Sequence, residues 1–536
     1  MSATAEDSED RRPAARGVAR NTIIFSIATG LSRIAGLVRE IVASSYFGTS
    51  GPFSAFTIAF QVPNLVRSLF ADSALSAAFV PVFTELLEKG SKRDAFRLAS
   101  TLLCLIVAVL GAITVVFMAG AHVVMPLFTG SGFNAHLDDL TSGLAQVMFP
   151  IVVLLGVNGL LVGILNAYDH FAIPAISPLV WNVVILVFLI GARGFFHGDG
   201  QLYAYALGIL AGTIVQLGMA FPVLRRLGFQ FEFSLDWRDP RVKRVLTLMV
   251  PVTIGLGIIN FDLLINSTLG SLISDSAPRA IDAAFRIYML PQGMFSVAVA
   301  TVLFPALSRL AAREDLVGLR GLLAGGLRQI SLLLIPAAAA TLALSTPITR
   351  LIYEHGAFND ASTDQVSTAL FWFSFSLPFN GINLLLTRTF FSLQQPWRPT
   401  SLAVGSMLVN VVVSLALYKP LGIAGPVIGT AASSAWMAWL QARWARKELG
   451  GLEERETGSA IFAITMASAA LGLIAWIGWA LLDHVFGRSL SGQLISVGGG
   501  LALGALAYGR AVLWLRIPEA HSIWEALQRR IPALRS

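Results

Sequence analysis

Residues 98–124 read LASTLLCLIVAVLGAITVVFMAGAHVV, and the run they belong to extends from Arg97 to Asp138 without a Lys, Arg, Asp or Glu between them. About 20 apolar residues suffice for a helix to cross the hydrocarbon core of a bilayer. Outward from this stretch, Leu140–Tyr168, Phe171–Ala192, Ile287–Ser308, Gln365–Thr387 and Thr457–Leu482 are equally free of charge. Hydrocarbon offers no water to backbone N–H and C=O groups, which leaves helices and closed barrels as spanning structures. Apolarity here is continuous rather than alternating, which argues against the barrel. The expected fold is an all-α polytopic membrane protein.

Composition agrees. Hydrophobic residues make up 55% of the 536 and charged residues only 13%, about half the charged share of soluble domains. Mean hydropathy is +0.72. The 48 glycines and 23 prolines would interrupt helices in water but are tolerated in membrane bundles. Cys104 is the lone cysteine, so no disulfide forms within the chain. Residues 1–20 mix acids with arginines and lack a signal-peptide core; they read as a cytoplasmic tail. The net charge of +7 resides in loop arginines that orient the chain in a membrane, and nucleic-acid binding is a poor reading of it.

About fourteen spans are expected, near 21–47, 53–87, 95–124, 139–167, 172–193, 201–224, 245–273, 279–308, 321–349, 364–394, 399–418, 421–442, 458–483 and 489–515. Basic residues fall on alternate sides of them. Arg11, Arg12, Arg16 and Arg20 precede the first span; Lys89, Lys92, Arg93 and Arg97 follow the second. The sixth loop holds Arg225, Arg226, Arg238, Arg241, Lys243 and Arg244, and the eighth and twelfth are also basic. Odd loops hold only Arg193, Arg279, Arg350, Lys419 and Arg488. This positive-inside asymmetry places both termini in the cytoplasm and requires an even number of spans.

The sequence also repeats. Gly132-Phe133-Asn134 returns as Ala357-Phe358-Asn359, Gly156-Val157-Asn158 as Gly381-Ile382-Asn383, and Pro174 as Pro399, all at an offset of 225. Phe79-Val80-Pro81 returns as Leu303-Phe304-Pro305 at 224, and Pro63 as Pro291 at 228. Spans 1–6 and 7–12 therefore read as two parallel six-helix repeats, with two C-terminal helices added. The expected organisation is a tail (1–20), an N-terminal lobe (21–226), a C-terminal lobe (240–448), an extra helix pair (457–516) and a second cytoplasmic tail (517–536).

An ionisable residue inside a span costs about 2.5–3.5 kcal/mol on insertion scales, so those that remain are functional candidates. The first span carries Arg33, Arg39 and Glu40, the second Asn64, Arg67 and Asp72, the seventh Asp262, the eighth Arg286 and the tenth Arg388. At 1.5 Å per residue Arg33 is about 20 Å from the cytoplasmic start of its helix, too deep to snorkel easily. Arg39 is nearer the outer surface and reads equally as half of an ion pair with Glu40. Gly36 between the two offers a bend that brings them together. Asn64 and Arg67 share a face at i,i+3, continued by Ala71, Ala74 and Ala78.

The functional reading is a water-filled cavity whose guanidiniums hold phosphate by bidentate hydrogen bonds. The bland reading pairs Arg39 with Glu40, Arg67 with Asp72 and Arg286 with Asp262. Asp262 has a sharper alternative, a monovalent-cation site shared with Asn410 and Ser414, which are i,i+4 on the eleventh span. No other cofactor is indicated: the seven histidines form no metal-ligand cluster, and no Gly-x-x-x-x-Gly-Lys phosphate loop is present. Asn158, Asn166, Asn182 and Asn383 read as cavity lining or as glue between helices.

Residues 32–40 (SRIAGLVRE), 59–67 (AFQVPNLVR), 70–72 (FAD), 78–81 (AFVP), 286–293 (RIYMLPQG), 303–305 (LFP) and 353–358 (YEHGAF) together resemble the lipid II flippase family called MurJ or MviN. That family sits within the superfamily of multidrug, oligosaccharidyl-lipid and polysaccharide exporters. The resemblance runs from about Arg20 to the end of span 14. It implies a fourteen-helix bundle of two lobes with a central cationic cavity, moving undecaprenyl-diphosphate-linked disaccharide pentapeptide from the inner to the outer leaflet of the bacterial cytoplasmic membrane. It places the family's essential arginines on Arg33, Arg39, Arg67 and Arg286, with Asn64 at the headgroup or holding an arginine. It implies lipid II and membrane lipids as partners, with cell-wall synthesis proteins beside them. Ser54 and Met289 depart from acids common in the family, which puts acid-dependent gating steps in doubt.

Three rival readings differ in class. A flippase for another polyprenyl-diphosphate-linked glycan shares the diphosphate, so sequence separates it poorly; a cationic-drug exporter should show acids in the first lobe. A membrane glycosyltransferase or polymerase needs a catalytic carboxylate beside a sizeable outer loop, and the acids of the short odd loops (Asp138, Asp139, Asp199, Glu354, Asp360) form no obvious pair. A helical scaffold does not need midspan arginines. The transporter reading, not an enzyme, is the expectation.

Overall fold

A computed structural model describes the backbone of residues 11–70, 72–168 and 170–530. Side chains are described from Ala28 onward except at 68–77, 169, 251–252, 254–260, 523, 526–527 and 529–530. Among these residues every regular element is helical and no strand occurs. Asp72 of the bland pairing, with Ala71 and Ala74, lies outside the described side chains.

Two compact units form, Met1–Leu264 and Ile265–Ser536. The first holds α1 (Arg11–Phe47), α2 (Gly51–Phe70), α3 (Asp72–Glu88), α4 (Lys92–Val124), α5 (Ala135–Met148), α6 (Ile151–Ala167), α7 (Ala172–Gly191), α8 (Gln201–Gly218), α9 (Phe221–Arg226) and most of α10 (Pro240–Ser271). The second holds α11 (Ala277–Pro291), α12 (Val297–Ala312), α13 (Leu316–Ala343), α14 (Ser345–Tyr353), α15 (Asp360–Ser392), α16 (Trp397–Leu421), α17 (Ala424–Leu449), α18 (Glu454–Phe486), α19 (Leu490–Trp514) and α20 (Pro518–Arg530). Each expected span coincides with a helix or with consecutive helices. Among the described residues, 10 helices are long and apolar enough to cross a membrane. The chain is a multi-pass membrane protein.

Proline explains one interruption. After Pro291, Gln292–Ser296 forms a π-helical turn before α12 resumes; a proline removes one backbone donor and crowds the preceding turn, and a wider turn relieves both.

The sequence repeat has a physical counterpart inside each unit. Asn134 caps α5 by accepting from Leu137 N at 2.9 Å, and Asn359 caps α15 by accepting from Ser362 N at 3.0 Å. A Cβ on Gly156 would lie 2.6 Å from Leu110 Cδ1 and 3.0 Å from Ile106 Cγ2. One on Gly381 would lie 2.2 Å from Leu334 Cδ1 and 2.8 Å from Ile330 Cγ2. The same leucine and isoleucine pair thus presses on the same glycine in both copies, where only a missing side chain lets the helices approach.

Within residues 517–536, the expected second tail, Pro518–Arg530 is helical. Ile517 and Ala520 pack with Leu332, Ile464, Ala467 and Val512. Arg328 on α13 donates to Glu519 and, at 3.1 Å, to Glu453. Apolar packing and a shared cation hold this helix, and helix propensity alone rarely fixes so short a segment.

Candidate functional site

The proposed site residues fall on both units, and each unit builds its own part. In the first, α1 is continuous through Gly36. Gly36 faces α7: its Cβ position lies 3.6 Å from Asn182 Oδ1, and Asn182 Nδ2 donates to Ser32 O at 3.3 Å and Pro178 O at 2.9 Å. Asn182 is therefore glue between helices. The two arginines differ in their surroundings along this unbroken helix. Arg33 is exposed, with no hydrogen-bond or ion-pair partner among the described residues. Arg39 is 8% exposed, 3.7 Å from Glu40 Oε2, with its guanidinium 5.0 Å from the Trp181 ring centroid. Pairing and ring contact offset the cost of burying that charge.

On α2, Arg67 donates through Nε and Nη2 to Asn64 Oδ1 at 3.1 and 2.8 Å. One turn of helix puts the two side chains on one face, and two bonds to one oxygen fix the plane of the guanidinium. The carbonyl that holds it is neutral, and this contact orients the cation.

In the second unit, the sequence reading missed the residue that organises α11. Asp282 Oδ2 accepts from Arg286 Nε at 2.8 Å and from Arg279 Nη1 at 2.9 Å. Arg279, read above as a loop residue, is only 1% exposed, whereas the Arg286 side chain is 36% exposed. One carboxylate thus faces an inner and an outer guanidinium. Tyr288 continues the polar line by accepting from Asn380 Nδ2 at 2.6 Å. Arg388 is half-buried with its guanidinium 5.3 Å from the centroid of Phe304.

Asn410 and Ser414 are both fully buried, and Ser414 Oγ donates to Asn410 Oδ1 at 3.0 Å. Asn410 Nδ2 donates to Asn266 Oδ1 at 3.1 Å, and Asn266 Nδ2 to Thr430 Oγ1 at 3.0 Å. A Cβ on Gly429 would sit 2.1 Å from Ser414 Oγ, so glycine is what lets α17 close over this network. Its oxygens are the donor class that suits hard cations. Asp262 is half-buried, four residues before Asn266 on α10.

Known proteins bear on this arrangement. A sequence profile described as lipid II flippase MurJ matches residues 43–491. The chain belongs to the MurJ family. It is 28% identical over 469 residues to the lipid II flippase MurJ of Burkholderia cenocepacia, covering 87% of this chain and 90% of that one. A probable lipid II flippase MurJ of Rhizobium tropici is 32% identical over 422 residues, covering 77% of this chain and 78% of its own. A solved structure of lipid II flippase MurJ in an inward closed conformation superposes with a TM-score of 0.77 at 22% identity, over 92% of this chain and all of that one. At that identity the likeness is one of fold. Asn64, Arg67, Asp262, Arg286, Asn410 and Ser414 lie inside the MurJ profile match, whereas Arg33 and Arg39 precede it.

Proposed function

We propose that this chain is a lipid II flippase. It moves undecaprenyl-diphosphate-linked disaccharide pentapeptide from the inner to the outer leaflet of a bacterial cytoplasmic membrane, with both termini in the cytoplasm. Membership of the MurJ family supports the substrate, and the observation that carries the mechanism is Arg67 held in plane by the neutral amide of Asn64. A diphosphate is strongly hydrated and crosses hydrocarbon only if its water is replaced by charged or hydrogen-bonding groups. Arg33, Arg67 and Arg286 supply guanidiniums for it, each able to hold two phosphate oxygens at once. Arg39 serves the same site from a buried position, with Glu40 and Trp181 fixing its place, and Asp282 sets the direction of Arg286.

The polyprenyl tail stays in lipid, so only the headgroup needs a path. An inside-negative potential favours outward movement of negative charge by about 2.3 kcal/mol per charge per 100 mV. Alternating access provides the cycle, and a monovalent cation at Asp262, Asn410 and Ser414 provides a second coupling. Cell-wall synthesis proteins that consume the flipped lipid are the expected neighbours. Complementation of a flippase-depleted bacterium tests the reading: wild type restores growth, and Arg33→Ala, Arg67→Ala and Arg286→Ala do not. Growth supported by all three variants, expressed at the wild-type level, refutes it. In proteoliposomes, an unchanged rate after the potential is collapsed removes the driving-force claim.

A further inference from the structure

Residues 227–239 join α9 to α10, and residues 229–236 contain no helix. This stretch reads FQFEFSLD, followed by Trp237, with apolar side chains at alternate positions. Contacts with α4 hold it in place. Lys92 Nζ donates to Leu227 O at 3.2 Å, Phe96 meets Phe229 edge to face at 5.1 Å, and Ser100 Oγ accepts from Glu232 N at 3.1 Å. Thr101 Oγ1 donates to Ser234 Oγ at 3.0 Å. Lys92, Phe96 and Ser100 form one stripe of α4, so the segment is strapped along about 12 Å of that helix.

Beyond Phe229 the apolar side chains are uncovered. Phe231 is 56% exposed, Phe233 78%, Leu235 46% and Trp237 57%. Four large apolar side chains in a row on one face of a short strap are more than a soluble surface ordinarily shows. Their level along α4 identifies what covers them. The charges of α4 end at Arg97, and the charge-free run begins at Leu98. Ser100 and Thr101, which anchor the middle of the strap, therefore stand at the membrane surface on that helix. Arg225 and Arg226 precede the strap, Arg238 and Lys243 follow it, and all four are exposed. Aromatic side chains flanked by arginine and lysine are the composition of a bilayer interface, and the cytoplasmic leaflet carries the anionic lipids that attract such cations.

We infer that this strap is an interfacial membrane anchor: Phe231, Phe233, Leu235 and Trp237 insert among the lipids of the cytoplasmic leaflet, while Glu232 and Ser234 hold the strap to α4. The anchor rests on the proposed orientation, which puts this connection on the cytoplasmic side, and stands apart from the transported substrate. Its occupant is anionic phospholipid rather than a second protein, because the apolar face begins where the charge-free part of α4 begins.

The test uses the full chain in nanodiscs of phosphatidylglycerol and phosphatidylethanolamine. Cys104→Ala frees the chain of its native thiol, and the environment-sensitive fluorophore NBD is then attached at Phe233→Cys, at Phe231→Cys or, as a control, at Asp236→Cys. Monodisperse gel filtration and an unchanged helical circular dichroism signal establish folding for each. The expected result is quenching by shallow doxyl-labelled lipid about threefold stronger at 231 and 233 than at 236, with iodide quenching in the opposite order, as insertion 5–10 Å into the headgroup boundary requires. Equal iodide quenching at all three positions overturns the anchor. Shielding of 231 and 233 from both quenchers, which signals cover by protein, overturns it as well.

Discussion

Replacing Asp282 with alanine removes the acceptor of two hydrogen bonds between charged groups, 2.9 Å from Arg279 Nη1 and 2.8 Å from Arg286 Nε. Bonds of this kind contribute about 1.5–3 kcal/mol each. They are not equal here. Arg279 is almost wholly enclosed, so its bond takes the upper figure, about 3 kcal/mol; Arg286 is partly open to solvent, so screening reduces its share to about 1 kcal/mol. The expected loss for Asp282→Ala is about 4 kcal/mol in all. Asp282→Asn keeps an oxygen in place but not the charge, and neutral acceptors give bonds about half as strong, so about 2 kcal/mol is lost. Thermal denaturation in detergent should rank wild type above Asn and Asn above Ala. Flipping of fluorescent lipid II in proteoliposomes, below the unfolding range, should be about twofold slower for Asp282→Asn and about fivefold slower for Asp282→Ala, the factors that losses of about 0.5 and about 1 kcal/mol in the Arg286 bond give. Asp282→Ala indistinguishable from wild type in both measurements refutes the assigned role. A normal rate with lowered stability assigns Asp282 to the fold alone.

Arg39→Ala should cost about 3 kcal/mol of stability through its buried pairing, whereas Arg33→Ala, at an exposed position, should change stability by less than about 0.5 kcal/mol; denaturation midpoints separate them, and both should fail complementation. Gly381→Ala, whose new methyl meets Leu334 Cδ1 at 2.2 Å, should lose about 1–3 kcal/mol. Gly30→Ala, with nothing within 4 Å, should be neutral or gain up to about 1 kcal/mol of helix propensity, measured by the same melts. The hydrogen bond from Arg241 holds the Asp239 carboxyl below its ordinary range despite partial burial. A depressed folded pKa contributes stability that is present above the unfolded carboxylate value, about 3.9, and lost as pH falls through the folded value. Asp239→Asn should flatten that acid limb in melts recorded from neutral pH downward, and a limb of unchanged slope counts against the pair.

Periodic and local features were legible from sequence. Asn64 and Arg67 lie one turn apart on a helix whose existence the apolar run already required, so their contact followed. The repeat offset was equally plain, and the paired glycine notches explain why it persisted: a larger residue at 156 or 381 collides with two side chains at once. Contacts that depend on distant segments were not legible. Asn266 and Thr430 are 164 residues apart, and nothing in either local pattern announces the other. Gly36 suggested a hinge because glycine permits bending, yet packing against Asn182 decided its use. Asp282 is a different matter. It stands four residues before Arg286, the spacing at which helical ion pairs form, so the pair was marked in the sequence near the edge of the span. The final helix also carried a mark, Pro518 as a start followed by apolar residues at helical spacing.

Arg328 has a consequence for the order in which the protein is made. Glu519 stands 191 residues after it, and bacterial and eukaryotic ribosomes add about 5–20 residues each second. Arg328 on α13 is therefore made about 10–40 s before the second of its two carboxylate partners exists. Glu453, its other partner, comes 125 residues after it, so for about 6–25 s the guanidinium has neither carboxylate, and until Glu519 follows it has one of the two.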